Sequence, residues 1–305
     1  MIKTVVFILS IFIITSTSAQ EVDSINLLKK RQKKVIIYGL AGTTLIHTGL
    51  YQLWYKDYPS SKFHFINDNK EWNQMDKFGH GFSAYYLSVV GTEAAKWSGM
   101  SRKKAIWLGG AFGMIFQHPI EVFDGFSSGW GASLGDITAN TLGSGLCISQ
   151  NLLWDEQRIG LKYSFTQSVY APIRPNVLGK DMSQQFLKDY NGQTYWLSCN
   201  VSSFIKNKES KFPKWLNLSL GYGSNGMIGG FKNEWKDNKT GLIYQRFDIP
   251  RYRQFYFSPD VDLNRIKTKH KSLKLVFKLL NCIKFPLPSI EYNSLGQTKF
   301  HWLTF

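Results

Sequence analysis

The sequence predicts an α+β protein: an N-terminal bundle of about four helices, then a C-terminal antiparallel β domain. Three observations predict it. Apolar residues recur at three- and four-residue spacing from Lys33 to Trp154, the period changes to two after about Arg158, and Gly and charged turns punctuate the first half. The change of period places a boundary near 157, between a helical domain over 33–157 and a β domain over 158–305.

Residues 1–19 carry one base, Lys3, an apolar run over 5–14 and a small-residue stretch ending at Ala19. That order is expected of a secretory signal peptide, and the run is too short to span a bilayer. The mature chain is expected to begin near Gln20, with 20–32 as a linker; an uncleaved anchor is the alternative. Cysteine occurs only at 147, 199 and 282, without a Cys-x-x-Cys pair, so neither a disulfide framework nor a cysteine zinc site is expected. Three buried thiols are the simpler reading, and no cysteine stands near residue 20 for lipid attachment.

The net charge is +16 and 15% of residues are aromatic. Such a charge favours anionic surfaces, and Trp and Tyr favour membrane interfaces because one end of each ring is apolar and the other polar. Membrane lipids or anionic glycolipid headgroups are the expected partners, with envelope proteins as further ones. Nucleic acid would suit the same charge, but an exported protein rarely meets it, so none is expected as a partner.

The expected helices cover 33–55, 76–98, 102–118 and 133–154. The first contains a stretch over 35–54 without Asp, Glu, Lys or Arg. Two readings stand for it: a membrane span, or a Gly-rich helix buried in the bundle. Loop 56–75 is polar and contains Glu71-Trp72. In the second half, strands are expected near 161–166, 194–204, 216–222, 252–263 and 298–305, each with one apolar face. The closing Phe300-His301-Trp302-Leu303-Thr304-Phe305 suits an outer-membrane barrel. A partial or small barrel and a sheet packed on the helices are the two options. Residues 267–283 read as a basic amphipathic helix, with Lys269, Lys271, Lys274 and Lys278 beside Leu273, Val276, Phe277 and Leu280.

Ionisable groups inside the apolar helices mark the candidate site, since they are costly there unless paired or bound. Asp76 and His80 are one turn apart and share a helix face. His118, Glu121 and Asp124 follow at three-residue steps, with Pro119 expected to interrupt the helix before them and Gly125 to close the turn after. The Gly-rich stretch 125–135 offers backbone N–H groups to an anion. Ser133-x-x-Asp136 resembles a capping box, and Asn140 lies one turn further on.

Acid–base chemistry would fall to Asp76, His80 and Glu121, with Asp76 orienting the imidazole. His80, Glu121, Asp124 and Asp136 are candidate ligands for a divalent metal ion, the expected cofactor if one is used. Lys77, Asp124, Ser133 and Asn140 are candidate ligand-binding residues. His47 has no spacing that ties it to the set. No Gly-x-Ser-x-Gly elbow, P-loop or dinucleotide fingerprint occurs.

The combination Glu71-Trp72, Asp76-Lys77-Phe78-Gly79-His80, Glu121-x-x-Asp124-Gly125 and Ser133-x-x-Asp136-x-x-x-Asn140-x-x-Gly143 resembles the YfiM-like family of bacterial envelope proteins over about 45–155. That family is a domain of unknown function, described as periplasmic lipoproteins. A more distant resemblance is to the VanZ-like membrane family, through Asp76, Lys77, His80, Glu121, Asp136 and Asn140. Neither resemblance implies a reaction. Lacking a lipobox cysteine, the chain would reach a membrane by its own barrel, helices or basic surface.

The leading expectation is an exported, membrane-associated envelope protein whose polar centre stabilises the bundle or binds an ion or anionic headgroup. One alternative is a metal-assisted or acid–base hydrolase of a lipid-linked or phosphorylated envelope substrate. The other is an outer-membrane β-barrel with a helical periplasmic domain.

Overall fold

The computed structural model describes residues 25–304, apart from 57, 208–209 and 238–239. The signal-peptide segment lies outside the described residues. Two compact units are present: one is the chain up to Asp68 with His80–Gln157, the other Asn69–Gly79 with Arg158 onward.

The helical unit contains α1 (Ile25–Leu50), the larger part of α2 (Met75–Trp97), α3 (Phe112–Gly125) and α4 (Leu134–Leu153). Its helices meet through small residues. A Cβ on Gly91 would lie 2.4 Å from the Gly109 carbonyl oxygen, and one on Gly113 would lie 1.9 Å from that of Ala84. Polar side chains fill the same seams: Ser88 Oγ donates to Ser144 Oγ (3.0 Å), and the Gly113 N–H donates to Ser88 Oγ (3.3 Å).

Two expectations for these helices are corrected. The stretch over 35–54 is not one helix buried in the bundle: α1 begins earlier, carries Lys29, Lys30, Arg31, Lys33 and Lys34 in its first turns, leaves Ile36, Ile37, Leu40 and Leu45 exposed, and gives way to a π turn at Tyr51–Tyr55. Among the described residues no helix is long and apolar enough to cross a membrane. Pro119 does not interrupt α3, which runs through it to Gly125. Pro119 costs only the bond to the Ile115 carbonyl, which belongs to an exposed residue.

The Gly-rich stretch after α3 is also more ordered than a free anion-binding loop. The short strands β1 (Phe65–Ile66) and β2 (Ala132–Ser133) pair in parallel, and Ser60 bridges Ser127. The N–H groups of Ser127, Ser128, Gly129, Ala132 and Ser133 all bond within the chain.

The second unit is built on an antiparallel sheet of six strands: β3 (Ile159–Phe165), β4 (Gln193–Asn200), β5 (Leu216–Asn225), β8 (Tyr252–Val261), β9 (Leu287–Asn293) and β10 (Thr298–Thr304). Their spatial order is β10-β9-β8-β5-β4-β3, so the sheet is open, with β10 and β3 at its edges. The closed barrel is therefore corrected to an open sheet. A hairpin of β6 (Glu234–Lys236) and β7 (Ile243–Gln245) is inserted between β5 and β8. The expected basic amphipathic helix is present but shorter, as α6 (Lys271–Leu280); α5 (Met182–Lys188) lies between β3 and β4.

The sheet reverses the usual burial of its alternating pattern. Along β5, Asn217, Ser219 and Gly221 are buried, whereas Leu218 and Leu220 are exposed. The polar face is fully engaged. Asp260 receives Lys162 Nζ at 2.9 Å and Ser198 Oγ at 2.6 Å, and Glu291 pairs with His301 at 2.7 Å. Of the cysteines only Cys147 is buried; Cys199 and Cys282 are partly exposed.

Residues 69–79 belong to this unit through a left-handed turn. Trp72, Asn73 and Gln74 have φ of 46°, 50° and 66°, a region disfavoured for residues other than Gly and Asn. Bonds hold them there: Trp72 N–H donates to the Gly230 carbonyl (2.8 Å), Asn73 Nδ2 to Ser224 Oγ (2.8 Å), and Arg253 to the Asn73 carbonyl (3.2 Å).

Candidate functional site

The site is assembled from α2, α3 and α4. Ser133 is the N-cap of α4: its Oγ accepts from the Asp136 N–H (3.2 Å) and donates to Asp68 Oδ1 (2.6 Å). Asp136 therefore sits in the first turn of α4, where the helix dipole favours a carboxylate. Asn140 lies one turn on and is fully buried. Across from them His80 projects from α2 and Glu121 from α3.

The imidazole of His80 stands between the two acids. Its Nε2 is 3.9 Å from Asp136 Oδ1, its Nδ1 is 3.9 Å from Glu121 Oε1, and Nδ1 is 3.2 Å from Asn140 Oδ1. An amide oxygen only accepts, so with the amide in this orientation Nδ1 carries a proton, and Nε2 faces Asp136. Glu121 is only 3% exposed; its Oε2 takes the Ser133 N–H (3.0 Å), while its Oε1 and the Nδ2 of Asn140 are buried with no hydrogen-bond partner. Unsatisfied atoms of this kind cost on the order of 1–3 kcal/mol each.

Burial raises the Glu121 carboxyl to about 7, against the lowering effects of the Ser133 N–H and of His80; Asp136 and Asp124 add to the rise. The folded chain thus holds a proton on Glu121 that the unfolded chain releases near 4.5. Stability is full below that pH and is lost as pH rises through about 7. With a chelator present, the melting temperature is expected to fall across this window, by the equivalent of about 3 kcal/mol, and Glu121→Gln should flatten the profile.

The remaining candidates divide. Asp76, one turn before His80 on the same helix, has a carboxylate oxygen within 4.8 Å of the imidazole. It accepts from Tyr190 OH (2.7 Å) and lies 3.4 Å from Lys77 Nζ. Asp124 accepts from Tyr55 OH (2.8 Å), beside Phe123 and Trp130. His118 does not join Glu121. Its Nδ1 donates to the Met114 carbonyl (2.7 Å), and it lines a shallow apolar hollow of about 460 Å³ with Met114, Ile115, Pro119 and Val122. His47 is tied to the carbonyls of Thr43 and Phe116. Two residues escaped the sequence reading, Asp68 and Tyr55. Both sit outside the motif spacing, and only the pairing of β1 with β2 brings Asp68 to Ser133.

Chemically, the arrangement offers an imidazole nitrogen and a carboxylate oxygen to a cation, with a second carboxyl group and an amide behind the ring. The Nε2 to Oδ1 distance of 3.9 Å is too long for a hydrogen bond. It is a little wider than the roughly 3–3.5 Å between two donors on one tetrahedral ion. The same groups could also pass a proton through Glu121.

A comparison with curated proteins and with solved structures finds no match for the chain. A family model does match over residues 64–151, fewer than half of the 305, and it covers the turn at 72–74, His80, Glu121, Asp136 and Asn140. Over that segment the chain is similar to a family of unknown function described as predicted periplasmic lipoprotein (DUF2279), in agreement with a place in the cell envelope.

Proposed function

We propose that the protein is an exported, membrane-associated envelope protein whose helical unit binds a divalent cation through His80 Nε2 and Asp136. Asp76 is within reach of the ring as a further donor. Glu121 and Asn140 stand on the Nδ1 side, where an acceptor fixes the tautomer and strengthens a metal-binding imidazole. The observation that carries this reading is the half-buried His80 ring between Glu121 of α3 and Asp136 of α4, with donor atoms of Asp76, His80 and Asp136 all within 4.8 Å of one another. A mixed nitrogen and oxygen set suits zinc or manganese better than calcium.

The test is metal analysis and thermal denaturation of the full chain after chelation and re-addition of zinc or manganese. Re-addition should raise the melting temperature, and His80→Ala and Asp136→Asn should abolish the rise. Asn140→Ala should weaken metal affinity by about 10–100-fold. A wild-type protein indifferent to every cation offered overturns the reading.

A second reading is favoured by the Glu121 carboxyl near neutral pH, where a group can both give and take a proton. In it, the centre hydrolyses a lipid-linked or phosphorylated envelope substrate, with His80 oriented by Asp76. It requires release of phosphate or headgroup from such lipids by the metal-loaded protein, lost in Glu121→Gln.

A further inference from the structure

We infer that the outward face of the six-stranded sheet rests against the hydrocarbon of a lipid bilayer. One register row crosses the whole sheet: Leu161 opposite Leu197, Leu197 opposite Leu220, Leu220 opposite Phe257, Phe257 opposite Ile290, and Ile290 opposite Phe300. The last five are 43% to 60% exposed. The adjoining rows add Leu218, Phe255 and Tyr292, also exposed, while Tyr163, Tyr195 and Tyr222 at the β3 end of the last row are covered, the latter two by Phe78. On the other face one row is polar and buried, Ser198–Ser219–Ser258, and the next sets buried Trp196 and Tyr256 beside Gly221 and Glu291.

In water the hydrophobic effect drives the opposite arrangement, because burying polar groups gains nothing and leaving a Leu or Phe exposed forfeits about 1.5–3 kcal/mol. A one-residue slip would turn the apolar set inward. The lysines, aspartate and serines of the inner face hold the register against that slip. The fold is therefore built for an apolar medium outside.

The occupant is lipid rather than one protein partner because the helical unit shows the same inversion independently. On α4, Leu134, Leu142 and Leu153 are 64%, 68% and 70% exposed, while Asp136, Asn140, Ser144 and Asn151 are buried. A medium acts on every surface; a docking partner acts on one.

Charge fits as well: α6 has exposed Leu273, Val276 and Leu280 beside Lys271, Lys274 and Lys278, as suits an anionic headgroup layer. Unpaired strand edges are too costly for the bilayer core, so the open sheet lies face-down with its edges among headgroups. At the β3 edge the Tyr163 main chain already bonds the Cys282 carbonyl and the Lys284 N–H, both at 2.9 Å.

The test uses the full chain with neutral phosphatidylcholine vesicles and with vesicles containing phosphatidylglycerol. Wild-type protein should float with both, and high salt should not release it. Nitroxides on Leu220→Cys, Phe257→Cys and Ile290→Cys, with Cys199 and Cys282 replaced by Ser, should be several-fold more accessible to oxygen than to a water-soluble nickel chelate. Three results each overturn the inference: flotation only with anionic vesicles and reversed by salt, nickel access exceeding oxygen access, or shielding from both reagents. The last would mean that protein, such as a second copy, covers the face.

Discussion

Asp260→Ala is expected to cost about 3–5 kcal/mol of stability, read as a large drop in the chemical denaturation midpoint. Asp260 is fully buried and holds two cations at once, Lys162 Nζ at 2.9 Å and Lys284 Nζ at 3.8 Å. It also accepts from Ser198, from Ser219 and from the Phe285 N–H. Its removal leaves two buried ammonium groups bonded to the carbonyls of Val261, Pro259 and Phe285, with the Trp196 ring beside Lys284 and the more distant Asp262 carboxylate near Lys162. A surface pair provides the contrast: Asp248 is bound by Arg246 at 2.8 Å but exposed, and Asp248→Ala should leave the midpoint where it was. Replacing Lys162, Asp260 and Lys284 together by Met, Leu and Met should recover much of the loss, because it removes the desolvated charges along with their partner.

Gly113→Val is expected to cost about 3 kcal/mol or more and to diminish the cation-dependent rise in melting temperature. The site and its scaffold share one seam. A Cβ at 113 would meet the Ala84 carbonyl oxygen at 1.9 Å and Ser88 Oγ at 2.6 Å, and backbone on α2 cannot yield as a side chain can. The helices must separate. Since α2 carries His80 and α3 carries Glu121, that separation removes the Glu121 carboxylate from the ring. Gly145 is the control: a Cβ there meets nothing within 4 Å, so Gly145→Ala should keep cation binding and stabilise the helix by up to about 1 kcal/mol. A Gly113→Val protein with wild-type stability would separate the small-residue seam from the site.

Much of the framework was legible in the chain. The switch from helical to alternating spacing near residue 157 marks where helices give way to strands, because each period matches one backbone geometry. Asp136 and Asn140 are one turn apart on any helix that begins after Ser133, as are Asp76 and His80. What those residues face was not legible. The same spacing that aligns His118, Glu121 and Asp124 left open which of them meets His80; the structure turns Glu121 toward it, Asp124 toward Tyr55 and His118 toward Met114. Strand β9 was hidden by Pro286 and Pro288, which read as helix stops, and the hairpin of β6 and β7 by its three-residue strands.

Sequence alone determined the classes of element and the polar residues embedded in them, since local geometry and burial cost act over a few residues. Tertiary structure alone decided which nitrogen of His80 meets which carboxylate, and which face of the sheet turns inward. An alternating strand has two faces and its sequence is the same whichever one is buried. Only the partners across the sheet, above all the buried Lys162–Asp260–Lys284 cluster, settle the direction.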